Sequence, residues 1–223
     1  MLVRNRPRLT KQALDSIKDT PDMQLLVLDD RCDKETWDIL DESEVNLRSN
    51  HTPMGTGQLR NLIIRQAYLD DKCDYLYLSD NDVFFQSGWL DTLIQYYELA
   101  RPLGFLVIGG VNHPFNQPTG KLPIMQAGKE IACVNEVIAL ATQSMLMSWD
   151  VWDEFGPFVE TPVDRVCMSE DVAFGNKIRA AGFKLGVVSP ALVISTGITN
   201  TFGERIPGAE LVKSLCPEGI LCE

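Results

Sequence analysis

Histidine is almost missing from this chain. Its two copies, His51 and His113, have no second histidine four residues away, which leaves no paired-histidine metal signature and reads both as solvated loop residues. The six cysteines (32, 73, 133, 167, 216 and 222) form no C-x-x-C pair. Structural zinc spacing is therefore absent, and scattered reduced thiols are the plain reading, with a Cys216–Cys222 bridge as the alternative. Cations are also scarce: 20 Lys and Arg face 31 Asp and Glu, for a net charge of −11. A chain so short of positive charge is not built to neutralise nucleic-acid phosphates. No run of about 18 apolar residues occurs, so no membrane span is expected. The N-terminus lacks a charged region followed by an apolar stretch and a small-residue cleavage site. Together these absences predict a cytoplasmic protein. Nor is there a Ser-His-Asp or Cys-His constellation asking for a covalent intermediate. The Asn50 to Gly57 stretch lacks G-x-x-x-x-G-K-[ST] and reads as a plain turn. With no internal repeat and no linker, the 223 residues are expected to form one domain.

What is present centres on Asp74-Tyr75-Leu76-Tyr77-Leu78-Ser79-Asp80-Asn81-Asp82-Val83-Phe84-Phe85. The first half is a short apolar run of the kind buried on both faces of a sheet. It ends abruptly in two acids one residue apart. Carboxylates at the carboxyl end of a buried strand stand where open α/β sheets bind ligands. Two of them can grip a hard divalent cation that also holds phosphates, because such ions keep several waters and need few protein oxygens. Asp is frequent enough here, 18 of 223 residues, that one such pair is expected by chance. Its weight lies in the context.

Along the chain, Met1-Leu2-Val3 reads as a strand tail. Leu9, Ala13, Leu14 and Ile17 follow at helical spacing, stopped by Thr20-Pro21. Leu25 to Leu28 is a second buried strand ending in Asp29-Asp30, and Asp33 can cap a short helix. Val45 to Leu47 is a third strand, and the next helix is expected to turn Leu59, Leu62, Ile63 and Ala67 inward. This alternation predicts parallel strands joined by helical crossovers. A helix from Trp89 and a buried strand at Phe105 to Ile108 continue the pattern. The Pro- and Gly-rich stretch from Val111 to Lys129 reads as a long surface loop. Strands are expected at Ile131 to Leu140 and Ser144 to Ser148, then a helix from Trp149 to Phe155. Ser169-Glu170-Asp171 opens a helix with Phe174, Ile178 and Ala181 inward, and Lys184 to Val188 is the last expected strand.

The order of the punctuating motifs is informative. Arg4-Asn5-Arg6-Pro7 precedes a helix, Asp29-Asp30 ends a strand, and Gly57-x-x-Arg60-Asn61 opens a helix. Asp80-x-Asp82, Phe155-Gly156-Pro157-Phe158 and Glu170-Asp171 complete the series. From the first residues to about Ser195 this resembles the family-two inverting glycosyltransferases with the GT-A fold. The resemblance implies an α/β, Rossmann-like single domain with a mostly parallel central sheet flanked by helices. It implies a nucleotide-sugar half over about 1–110, an acceptor half over about 111–195, and a tail over 196–223.

By the same resemblance, Arg4, Asn5 and Arg6 lie against the nucleotide, Asp29 contacts the base (usually uracil), Asp30 is its neighbour, and Arg60 reaches towards the nucleotide. Asp80 and Asn81 belong to the nucleotide site, and Asp80 and Asp82 to a Mn²⁺ or Mg²⁺ site on the diphosphate. Asp171 matches the general base, with Glu170 beside it. Read without the family, Asp29-Asp30 could begin a turn. Arg60 could pair with a surface acid, and Glu170-Asp171 could be the acidic first turn of a helix. Relatives often carry a metal-binding His after the last strand. Val193-Ile194-Ser195-Thr196-Gly197 offers none, leaving Asn200 or a water for that position.

The expected reaction is sugar transfer from a nucleoside diphosphate, UDP above all, to an acceptor hydroxyl of a glycan, lipid, protein or small molecule. A carboxylate takes the acceptor's proton, and a cation neutralises the leaving group. Two alternatives stand beside it: a nucleotidyltransferase, whose usual Gly-rich basic loop is absent, and a non-catalytic nucleotide- or carbohydrate-binding module.

Overall fold

The computed structural model describes residues 1–70, 73–111, 118–160, 170–197, 210, 213–214 and 217–223. The first half alternates as its patterning dictates: β1 (Leu2–Val3), α1 (Pro7–Ile17), β2 (Leu26–Asp30), α2 (Lys34–Glu42), β3 (Asn46–Asn50) and α3 (Thr56–Asp70). Helix α2 starts where Asp33 accepts the backbone N–H of Thr36 at 2.8 Å, which satisfies one of the first-turn donors. β1, β2 and β3 pair in parallel. Then come β4 (Tyr75–Ser79), β5 (Val83–Phe85), α4 (Trp89–Ala100) and β6 (Phe105–Gly109). The remaining elements are β7 (Pro118–Gln126), β8 (Lys129–Val137), β9 (Ser144–Ser148), α5 (Trp149–Phe155), α6 (Glu170–Ala180), β10 (Lys184–Ser189) and β11 (Val193–Ser195).

Six strands form a second sheet in the order β4-β9-β6-β10-β8-β7. A parallel bridge between Leu2 and Asp80 joins it to the first sheet, so the carboxyl ends of β1 and β4 meet at the acids. The α/β class stands, but the sheet is mixed rather than mostly parallel. Of the strand pairings among the described residues, three are parallel and five antiparallel. β7 and β8 are joined by a tight hairpin rather than a helical crossover, which makes them antiparallel, and β9 runs against both its neighbours, β4 and β6.

The core lies on both faces. Leu14, Ile17, Phe85, Trp89, Leu93 and Tyr97 fill the side covered by α1 and α4, while Leu59, Ile64, Phe158, Phe174 and Ile178 fill the side covered by α3, α5 and α6. Four expectations change. Pro118–Gln126 is a strand, hairpinned to β8 through Ala127 and Gly128, so only part of Val111 to Lys129 could be loop; residues 112–117, with His113, lie outside the described residues. Its prolines are tolerated because β7 is the edge strand. Leu62 is 42% exposed and Ala181 is exposed. In α3 the buried positions beside Leu59 are instead Arg60 and Asn61. A further short strand, β11, follows β10 and pairs antiparallel with β5. Cys32, Cys73 and Cys133 are free thiols, whereas Cys222 is disulfide-bonded, against the expectation of reduced thiols throughout; Cys167 and Cys216 lie outside the described residues.

Candidate active site

Three strand ends build one wall. After β1 the chain turns through Asn5 and Arg6, both left-handed with φ 55° and 62°, a conformation that costs most residues free energy and needs support. Support comes from all sides. Asn81 Nδ2 donates to the Asn5 carbonyl at 2.9 Å and to Thr10 Oγ1 at 2.6 Å. Thr10 Oγ1 donates to the same carbonyl, and Asn5 Oδ1 accepts the Asp33 N–H at 2.8 Å. The buried Asn81 therefore ties the Arg4–Arg6 loop to the Asp80–Asp82 turn and points into the protein.

At the end of β2, Asp29 and Asp30 are both buried. Asp29 Oδ1 accepts the Cys32 N–H at 2.8 Å, closing the turn before α2. Asp30 accepts from Asn50 Nδ2 and Arg31 Nε, each at 3.1 Å, and from Arg4 Nη1 at 3.4 Å. The Cys32 thiol is pushed up to about 12, first by burial and then by its hydrogen bond with Asp29, and stays protonated and inert.

The third strand end, after β4, is the Asp80-Asn81-Asp82 turn. Arg60 is 3% exposed and donates Nη2 to Asp80 Oδ1 at 2.8 Å, while its Nε lies 3.9 Å from Glu170 Oε1. Arg60 thus stands between the strand-end acid and the first residue of α6. Glu170 is itself 3% exposed. Burial raises its pKa against the pull of Arg60. Asp171, next along α6, also has a raised pKa, chiefly from burial, opposed by the Val172 N–H and by Arg60. The start of α3 lies close against the chain that follows α5 because position 57 is glycine; a Cβ there would lie 2.1 Å from the Val159 carbonyl oxygen and 3.4 Å from Glu170 Cβ. Asn61 completes the junction by exchanging two hydrogen bonds with the Phe158 backbone, at 3.0 and 2.9 Å.

Asp82 has partners that the sequence did not reveal. Its Oδ2 pairs with Arg6 Nη1, and its Oδ1 accepts from Gln143 Nε2 at 2.9 Å. Gln143 also donates to Ser195 Oγ at 3.1 Å. A single glutamine in a loop carries no spacing signal by which it could have been found. Pairing of β11 with β5 brings Thr196 alongside, its N–H donating to the Asp82 carbonyl at 2.8 Å. Asn200 lies outside the described residues.

A divalent cation fits this donor set in kind. Asp80 and Asp82 are oxygen donors one residue apart, Asp80 is 31% exposed at its side chain, and the buried Thr196 Oγ1 beside them has no hydrogen-bond partner among the described residues. Two carboxylates suffice for a hard cation that completes its shell with water and phosphate oxygens. Among the described residues no group of three or more His, Cys, Asp or Glu surrounds one position. No helix of the described residues is long and apolar enough to cross a membrane.

The mixed α/β frame that carries these strand-end acids is the GT-A fold. The chain matches glycosyl transferase family 2 over residues 1–141, more than half of its length, and it belongs to that family. Among solved structures it is similar to the mannosyltransferase PcManGT from Pyrobaculum calidifontis, solved in complex with GDP-Man and Mn²⁺. That match has 12% identity and a TM-score of 0.54, covering 83% of this chain and 55% of that one. It is also similar to residues 1–349 of S. aureus TarS (16%, TM-score 0.58, covering 86% and 58%) and to a longer TarS structure (15%, 0.59, 90% and 37%). At these identities the likeness is one of fold, and the chain spans 37% to 58% of these neighbours' lengths. Curated protein sequences give no match.

Proposed function

We propose that this glycosyltransferase moves a sugar from a nucleoside diphosphate, with UDP as the carrier, to an acceptor hydroxyl with inversion at the anomeric carbon. The observation that carries the reading is the Arg60 junction. It links Asp80, on the side assigned to the donor, to Glu170 and Asp171, on the side assigned to the acceptor. Donor contacts are assigned to about residues 1–110 and acceptor contacts to about 111–195.

Arg4, Arg6 and Arg60 supply positive charge where a diphosphate needs it, and Asp29 is assigned to the base. Asp80 and Asp82 would hold Mn²⁺ or Mg²⁺, which when bound supplies Lewis-acid neutralisation of the departing diphosphate. Asp171 receives the proton of the acceptor hydroxyl. As that O–H bond breaks, a new C–O bond forms at the anomeric carbon and the bond to the diphosphate oxygen breaks. The raised pKa of Asp171 supports this role, since a carboxylate held above its ordinary value is a stronger base. Glu170, buried against Arg60, fits a positioning role better than contact with the acceptor.

The test is a thermal-shift panel of UDP, GDP, ADP and CDP with Mn²⁺, because a ligand that binds the native state raises its stability by mass action. UDP should give the largest shift. A larger shift with GDP, the nucleotide in the mannosyltransferase neighbour, would move the base assignment to guanine. Equal shifts from all four would remove Asp29 from the base pocket.

A further inference from the structure

Asp80 and Asp82 are not held alike. Asp80 has one oxygen bonded to Arg60 and a side chain 31% exposed. Asp82 is 16% exposed, and both carboxylate oxygens are engaged, one by the Arg6 guanidinium and one by the Gln143 amide. Gly197 packs directly over this pair: a Cβ there would stand 2.2 Å from Asp82 Oδ2 and 3.0 Å from Arg6 Nη1. The Arg6–Asp82 contact is therefore built into the fold, with side-chain volume withheld from Gly197 to admit it. Gln143 also donates to Ser195, while Arg6 reaches Asp82 Oδ2 through a long side chain. The backbone that carries it is fixed by Asn81, Thr10 and Asp33 through Asn5.

A dication cannot share Asp82 Oδ2 with a guanidinium at contact distance, because like charges repel most where water is sparse. Arriving alone, it must displace Arg6 and leave that cation without its carboxylate. Arriving with a diphosphate, it brings the anion that a guanidinium binds well, often through two parallel hydrogen bonds. We propose that Arg6 makes cation uptake at Asp82 conditional on the donor: it holds the carboxylate until a diphosphate draws it away. The site then selects metal-loaded diphosphates over free metal. This rests on the assignment of Asp82 as a cation ligand in the proposed function.

Binding free energies are reciprocal, so the same factor must describe tightening of Mn²⁺ by UDP and of UDP by Mn²⁺. The experiment measures free Mn²⁺ by electron paramagnetic resonance with and without UDP or UMP, corrected for binding of Mn²⁺ to the nucleotides in solution. Wild type should bind Mn²⁺ at least about tenfold more tightly with UDP than alone, within the ordinary range of coupling. UMP, lacking the second phosphate, should give less. In Arg6→Gln, Mn²⁺ alone should bind more tightly than in wild type, and the UDP coupling should shrink towards unity. Should that variant fail to fold, Arg6→Lys, which keeps the charge but loses the planar fork, takes its place: its UDP coupling should be smaller than that of wild type, and an equal coupling would overturn the role of Arg6. Equal Mn²⁺ affinity with UDP, with UMP and with neither would overturn the role of Arg6. Asp82→Asn separates the two layers: it should abolish Mn²⁺ uptake with UDP. Undiminished uptake in Asp82→Asn would remove the cation site and this inference with it, whereas loss of uptake without nucleotide coupling in wild type would sink Arg6 alone.

Discussion

Replacing Arg60 by Met probes the junction on which the site depends. The side chain is 4% exposed, bonded to Asp80 at 2.8 Å and 3.9 Å from Glu170. Methionine retains much of the aliphatic volume and removes the charge. Deleting one partner of a buried ion pair costs about 3–5 kcal/mol, because the other charge is left uncompensated. Asp80 is 31% exposed and can rehydrate, which places the expected loss at the lower end, about 3 kcal/mol. For a chain of this length that corresponds to a fall in Tm of about 6–12 °C. The loss should also depend on pH. Arg60 lowers the pKa of both Glu170 and Asp171, so its removal raises both further. A carboxyl whose folded pKa lies above its unfolded one contributes least once it must ionise, so stability is lost as pH rises through that window. Urea and thermal melts of wild type and Arg60→Met should therefore diverge more at about pH 8 than at about pH 5. A difference below about 1 kcal/mol, unchanged with pH, is what an exposed surface pair would give, and it would refute the junction.

Two further outcomes follow from the same geometry. Gly57→Ala would drive a Cβ to within 2.1 Å of the Val159 carbonyl oxygen, so it should destabilise by about 1–3 kcal/mol despite the better helix propensity of alanine; a neutral or stabilising result by urea melt would remove the close approach of α3. Glu170→Gln relieves a carboxylate whose pKa burial has raised. Its Tm should exceed that of wild type at neutral pH, and the gain should vanish in acid, where Glu170 is protonated in both folded and unfolded chains. A Tm lower than wild type at neutral pH would show that Arg60 needs the Glu170 charge.

The strands that end in acids were legible because an apolar run stopped by Asp29-Asp30 or Asp80-Asn81-Asp82 has few other readings. The helix-start Asp33 was equally plain, since a capping carboxylate acts within three residues. Position 62 misled because α3 buries Arg60 and Asn61 for the site, and a helix that buries polar groups breaks the pattern from which its inner face is read. The β7–β8 hairpin was hidden by Pro118, Pro123 and Gly128, residues that mark loops but are also at home on an edge strand and its turn. The mixed order of the sheet depends on where β9 inserts between β4 and β6, a long-range pairing that leaves no local trace. Gln143 reaches Asp82 across 61 residues and could not be read at all.

What leaves the donor decides the chemistry. Wild-type protein and Asp171→Asn, each incubated with Mn²⁺ and a panel of UDP-sugars, can be followed by phosphorus NMR. The asparagine keeps the shape of the side chain and removes the proton acceptor, and loss of a general base costs about 10²–10⁴ in rate. The prediction is nucleoside diphosphate released by wild type, with water or an added hydroxyl compound as acceptor, at least about a hundredfold faster than by Asp171→Asn, while both bind donor equally. Pyrophosphate as the product, or equal release by the two proteins, would contradict it.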